Sequence, residues 1–150
     1  MTAMALPTRR ATLRLAKRLA AALSSGDLVL FEGELGAGKT FLCRGVVRAL
    51  GVTRDVTVAS PTFSLVHEYD TPRFRVMHAD LYRLERPADV RELGLREARA
   101  EGAVVLAEWA ARFADELGDD GLLVTLTTDP RTATLSPRGP RGDALLKAAS

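Results

Sequence analysis

Apolar residues recur in two rhythms along this chain, and the alternation between them predicts an α/β protein. Leu13, Ala16, Ala20 and Leu23 recur at helical spacing, so residues 9–23 read as an amphipathic helix, stopped by Ser24-Ser25-Gly26-Asp27. The next run, 28-LVLFE-32, is short and continuously apolar, as a parallel strand buried on both faces should be. Leu42, Val46 and Ala49 mark one face of a helix from Lys39 to Leu50, ended by Gly51. Residues 56–59 (VTVA) are β-branched and strand-like until Ser60-Pro61 interrupts them. Residues 63–69 and 74–80 flank the turn-like Asp70-Thr71-Pro72-Arg73 and predict a hairpin.

Pro87 can start a helix through about Leu93, and Gly94 separates it from a second helical piece at 95–101. An apolar strand follows over 103–109, then a helix over 110–117. Residues 122–127 and 132–136 read as a closing strand pair around Thr128-Asp129-Pro130-Arg131. The segment 137-PRGPRGD-143 is loop-like, and 144–149 suits one terminal helical turn. This order predicts one α/β domain over 1–150: a mostly parallel sheet with an antiparallel portion, flanked by helices, with 137–150 as a loose tail.

Composition narrows the options without choosing among them. A chain of 150 residues, 47% hydrophobic and 27% charged, can close one core without staples. The formal net charge is only +2, so any affinity for nucleic acid must come from a local patch. Cys43 has no second cysteine to pair with, which fits a reducing cytoplasm. No apolar run approaches the roughly 18 residues that a membrane span needs. Arg9, Arg10, Arg14, Lys17 and Arg18 precede the first acid, Asp27, in the manner of a targeting segment. Because LVLFE follows at once, the stretch reads instead as a helix of the domain.

The chemistry concentrates in 33-GELGAGKT-40, which matches G-x-x-x-x-G-K-[ST] between a strand and a helix. Glycines let Gly33, Glu34, Leu35, Gly36, Ala37 and Gly38 curl so that successive N–H groups face one anion. Lys39 supplies a point charge for the outer phosphates, and the Thr40 hydroxyl can ligate Mg²⁺. The helix that continues through Phe41 aims its positive end at the same phosphates.

Such a site needs a carboxylate at a neighbouring strand end. Glu108 ends the strand AVVLAE, and Asp80 ends FRVMHAD; either also suits a solvated acid capping the next element. Thr62, in 60-SPTF-63, stands where a mobile loop could order on a γ-phosphate, though Ser-Pro-Thr also suits a plain turn. His67 and His78 have no partner at metal-ligand spacing and read as core or edge positions. Cys43 and Trp109 read as packing residues, with Trp109 close enough in sequence to Glu108 to touch a nucleotide or a partner. No Asn-Lys-x-Asp or Thr-Lys-x-Asp is present for guanine selection, which favours ATP. A small-molecule kinase is the alternative. It would need an arginine-bearing lid, and 85–102 is the only segment that offers one.

Taken together, GELGAGKT followed by 44-RG-45, SPTFSLVHEY, 78-HADLYRL-84 and 108-EW-109 resembles the bacterial TsaE (YjeE) family, collinear from about Leu6 to Arg131. Glu34 stands where that family usually has aspartate, Ala79 where it has a larger apolar residue, and Ala107 and Ala110 flank the Glu-Trp pair. The resemblance implies a P-loop NTPase-like fold with slow, Mg²⁺-dependent ATP hydrolysis. It implies association with a TsaD–TsaB complex that modifies adenosine 37 of tRNAs reading ANN codons, with tRNA as the pathway's substrate. By the same resemblance Gly33 to Phe41 would bind phosphates, Thr40 and Glu108 would hold Mg²⁺, and Thr62 would be the switch threonine. Asp80 would orient or deprotonate water, or hold Mg²⁺ through water. Trp109 and the segment from Thr8 to Thr12 would border the nucleotide.

Overall fold

The computed structural model describes residues 1–58, 61 and 65–150. Its seven strands are β1 (Thr2–Ala5), β2 (Leu28–Glu32), β3 (Val66–Asp70), β4 (Arg75–Asp80), β5 (Val104–Glu108), β6 (Gly121–Thr127) and β7 (Thr132–Arg138). The helices are α1 (Arg9–Ala22), α2 (Lys39–Ala49), α3 (Pro87–Glu92), α4 (Leu95–Ala100), α5 (Ala114–Leu117) and α6 (Gly139–Ala149), with one 3₁₀ turn at Ala111–Phe113. All strands join one sheet in the order β1-β7-β6-β2-β5-β4-β3. Pairing is parallel across β6-β2-β5-β4 and antiparallel at β1·β7, β7·β6 and β4·β3. The expected parallel core with an antiparallel portion is therefore the observed sheet.

Strand β2 lies inside that core because nearly every residue of LVLFE is buried, with Val29 and Phe31 on one face and Leu28 and Leu30 on the other. Burying an aliphatic or aromatic side chain of this size stabilises by about 1.5–3 kcal/mol. The first face packs against α1, α2 and α6, the second against α3, α4 and the 111–117 segment. Helix α1 begins where the Thr8 hydroxyl accepts from the Ala11 N–H at 3.1 Å. Its buried stripe is Ala11, Thr12, Leu15, Ala16, Leu19 and Ala20, so Leu13, expected inside, turns outward and is 42% exposed.

Three other expectations are corrected. Residues 56–58 form no strand, and residue 59 lies outside the described residues. The helix expected over 110–117 is split into the 3₁₀ turn and the single α-turn of α5. The segment expected to be a loose tail extends β7 to Arg138 and then forms α6, with Leu145 and Ala149 buried in the core. Pro137 is tolerated in β7 because β1 covers only Thr132 to Leu135, so the missing N–H has no ladder to break on that side.

Charge holds α6 in place as well. Arg141 donates from Nε and Nη2 to the two oxygens of the buried Asp27 carboxylate, each at 2.7 Å. Arg141→Met leaves that carboxylate without its cation, so we expect a loss of about 2–4 kcal/mol, read as a lower urea midpoint. A midpoint equal to that of the wild type would show that the pair contributes nothing.

Candidate functional site

The phosphate-loop sequence leaves β2 at the C-terminal edge of the sheet, where open α/β sheets bind ligands. Gly33 is required there. Its φ is +147°, and a Cβ would lie 2.5 Å from the Leu126 carbonyl oxygen on β6. The loop tightens through an Ala37 N–H donating to the Glu34 carbonyl at 3.0 Å. Gly38, left-handed at φ 105°, starts α2 without a side-chain cap, so the first N–H groups of that helix keep their donor capacity. Arg131 reaches across from β7's start and donates to the Ala37 carbonyl at 3.1 Å. Glu34, Leu35 and Gly36 form the exposed crest, whereas Ala37 and Lys39 are buried and Gly38, Thr40 and Phe41 half-buried.

Lys39 folds back over its own loop. Its ammonium donates to the Gly33 carbonyl and to the Glu34 carbonyl, the latter at 3.0 Å, and lies 3.9 Å from the centre of the Trp109 ring. Burial pushes its pKa down, and the nearby Glu108, Glu32 and Asp80 carboxylates push it back up, leaving it lowered overall. Trp109 holds a left-handed backbone at φ 57°, rare for an aromatic residue, while its N–H donates to the Phe31 carbonyl at 3.0 Å. Its ring leans on Tyr82 at 4.8 Å. Strain of this kind clusters at sites where the surrounding structure dictates one geometry.

Register brings the two candidate acids together. Strands β4 and β5 run parallel with Asp80 opposite Glu108, and both are buried at the edge where the loop begins. The Thr40 hydroxyl donates to Glu108 Oε1 at 2.8 Å, and His78 Nε2–H donates to Oε2 at 2.6 Å. A carboxylate flanked on both oxygens is held in one orientation. Asp80 Oδ1 accepts from the Tyr82 N–H at 3.0 Å, which aims it along the following turn.

The sequence placed His78 as a core or edge residue, and it is fully buried. Its role as a partner of Glu108 had no sequence signal, because the two are 30 residues apart and meet only through strand pairing. Its Nδ1 has no hydrogen-bond partner among the described residues. Thr62 lies outside the described residues.

The donor set fits Mg²⁺: a threonine hydroxyl and a carboxylate in contact, with a second carboxylate in register, are hard oxygen ligands. Cys43, His78 and Glu108 also bring ligand-type atoms within 4.8 Å of one another. Burial, and after it the charge of Glu108, pushes the Cys43 thiol well up, so it stays protonated and packs as a small apolar group.

Two hollows flank the loop. One is lined by Pro7, Thr8, Thr12, Gly38, Phe41 and Arg131, the other by Glu32, Tyr82, Trp109 and Arg112. Segment 85–102 is no lid: α3 and α4 are packed on the sheet through Val90, Leu95 and Ala98.

Comparison with known proteins adds four findings. Residues 6–134 match the family described as "Threonylcarbamoyl adenosine biosynthesis protein TsaE". The tRNA threonylcarbamoyladenosine biosynthesis protein TsaE of Bacillus subtilis is 36% identical over 137 residues, covering 89% of this chain and 84% of that one. Its namesake in Rickettsia felis is 44% identical over 99 residues, 66% of this chain and only 57% of that longer protein. The crystal structure of Bacillus subtilis YdiB superposes with a TM-score of 0.82 at 29% identity, covering 99% of this chain and 93% of YdiB.

Proposed function

Because the chain belongs to the threonylcarbamoyl adenosine biosynthesis protein TsaE family, we propose that it serves tRNA threonylcarbamoylation as a P-loop ATPase. The observation that carries the ATPase reading is the Glu108 carboxylate, held by Thr40 on one oxygen and by buried His78 on the other at the foot of the phosphate loop. A loop that only gripped phosphate would not need a buried, doubly oriented carboxylate and a second acid in register with it.

In this reading the curled backbone of Gly33 to Phe41 and the start of α2 bind the phosphates of ATP. Lys39 swings from its loop carbonyls onto the β and γ oxygens, exchanging two neutral acceptors for charged ones. Mg²⁺, when bound, neutralises charge on the same phosphates, with Thr40 and Glu108 as the ligands that would hold it. Asp80 orients the attacking water and accepts its proton as the bond between the γ-phosphorus and the ADP oxygen breaks. By the family resemblance Thr62 would serve as the switch threonine. The hollow between α1 and β7's start, with Pro7, Thr8, Phe41 and Arg131, receives the adenosine end. Trp109 keeps Lys39 in place from the opposite side.

The packed state of α3 and α4 argues against the kinase alternative, since the only candidate lid is part of the core. What ATP turnover drives is then a partner: we assign it to a TsaD–TsaB complex acting on adenosine 37 of tRNA, in the cytoplasm. No helix among the described residues is long and apolar enough to cross a membrane. The test is ATP turnover by the purified protein with and without TsaD–TsaB. Slow turnover that rises with the complex supports the reading; no response to the complex removes the partner from it.

A further inference from the structure

A groove of about 800 Å³ lies between α1 and α2, away from the Asp80–Glu108 pair. Its walls are cationic on both sides. Arg10, Arg14 and Lys17 stand at i, i+4 and i+7 along α1, and Arg44 and Arg48 at i, i+4 along α2, with Arg54 just beyond. The groove exists because the two helices approach closely at Gly45, where a Cβ would lie 2.9 Å from the Ala16 Cβ. Long side chains from each helix therefore rise around a shallow floor that includes Leu13 and Phe41.

What distinguishes this face is the absence of compensation. Elsewhere arginines find acids: Arg75 meets Glu68 and Glu101, Arg91 meets Glu116, and Arg141 meets Asp27. Among the described residues no acidic side chain lines the groove, and helices α1 and α2 carry none. Arg48 is committed to the carbonyls of Val52 and Thr53, and Asp55 to the Thr53 hydroxyl. Arg10, Arg14, Lys17, Arg44 and Arg54 have no ion pair or hydrogen-bonded partner among the described residues. A chain of net charge +2 thus places on one face a cationic channel that holds no ion pair among the described residues. Like charges held this close repel one another and destabilise the free protein, which an anion lying along the channel would relieve.

We propose that this groove binds the phosphodiester backbone of RNA. A strand with regularly spaced charges matches two facing cationic rows, and guanidinium groups grip phosphate in a planar fork. The proposal takes only the source of the RNA, a tRNA, from the function assigned above; the charge pattern stands without it.

The test is anisotropy of a labelled, unmodified tRNA transcript titrated with the full chain in the absence of nucleotide, across a salt series. Five phosphate contacts predict a slope of log affinity against log salt of about −3.5 to −4.5. The triple variant Arg14→Glu, Lys17→Glu, Arg54→Glu should weaken tRNA binding by at least about tenfold and flatten the slope to about −1 to −2. Its affinity for a fluorescent ATP analogue should equal that of the wild type. The neutral triple Arg14→Gln, Lys17→Gln, Arg54→Gln covers any misfolding of the reversed one and should lose tRNA affinity in the same direction. Arg91→Glu, on the opposite layer, should leave it unchanged. Unaltered tRNA affinity in both triples overturns the proposal, as does tighter wild-type binding to polyglutamate or to phosphatidylglycerol vesicles than to tRNA. Absence of ATP turnover by the wild-type chain, with its tRNA binding intact, would refute the ATPase reading alone.

Discussion

Lys39→Ala is expected to weaken ATP binding by about 100-fold, the worth of one charge-assisted contact to phosphate lost from a partly buried site. Lys39 is 5% exposed, with Glu108, Glu32 and Asp80 as its charged surroundings. Burial already lowers its pKa, so the cation is held at a cost that an incoming polyphosphate would offset. Alanine removes both the cation and its contact with the Trp109 face. Calorimetric titration with a non-hydrolysable ATP analogue reads the change directly. The thermal midpoint without nucleotide should move little, because the Ala37 N–H to Glu34 carbonyl bond and the fit of Gly33 against β6 remain when the lysine's own contacts with the Gly33 and Glu34 carbonyls are lost. Affinity retained within a few fold would mean that the loop does not bind phosphates through Lys39.

Glu108→Gln should separate binding from chemistry. Glutamine keeps the length and can still accept from Thr40, which donates to Oε1 at 2.8 Å. It removes the negative charge and presents an amide to His78 in place of one acceptor oxygen. Turnover at saturating Mg²⁺ is expected to fall about 100-fold, the scale of losing one preorganised electrostatic contact in a buried site. Affinity for the nucleotide alone should stay within about threefold, since that loss corresponds to under 1 kcal/mol. Equal losses in both measurements would contradict the division of labour between Lys39 and Glu108.

Much of this arrangement was legible in the sequence because it depends on local patterns. The strand–loop–helix unit from Leu28 to Ala49 follows from an apolar run, glycines and helical spacing, and the hairpin from two strands around a Thr-Pro turn. Asp80 and Glu108 were visible as strand ends, and parallel pairing brings them opposite each other. Features set by distant partners were not visible. Strand β1 is four residues, Thr-Ala-Met-Ala, too short to register until β7 pairs with it. Helix α6 carries two glycines and a proline in its first four residues, a loop composition overruled by the Asp27–Arg141 pair and by burial of Leu145 and Ala149. His78 was invisible as a site residue because its partner lies on a neighbouring strand.

The way α6 and β7 close the molecule also bears on how it is made. Among the described residues, residues 2–5 find their only strand partner in residues 132–135, and Asp27 finds its cation at position 141. The wall of the phosphate loop is equally late: Leu126 supplies the carbonyl against which Gly33 is fitted, and Arg131 the guanidinium on Ala37. A nascent chain still tethered to the ribosome before residue 131 emerges has the loop's sequence without its mould. Contacts this far apart slow the search for the native state. Nucleotide competence therefore waits for residues 126–131 and does not come when the GKT triplet emerges.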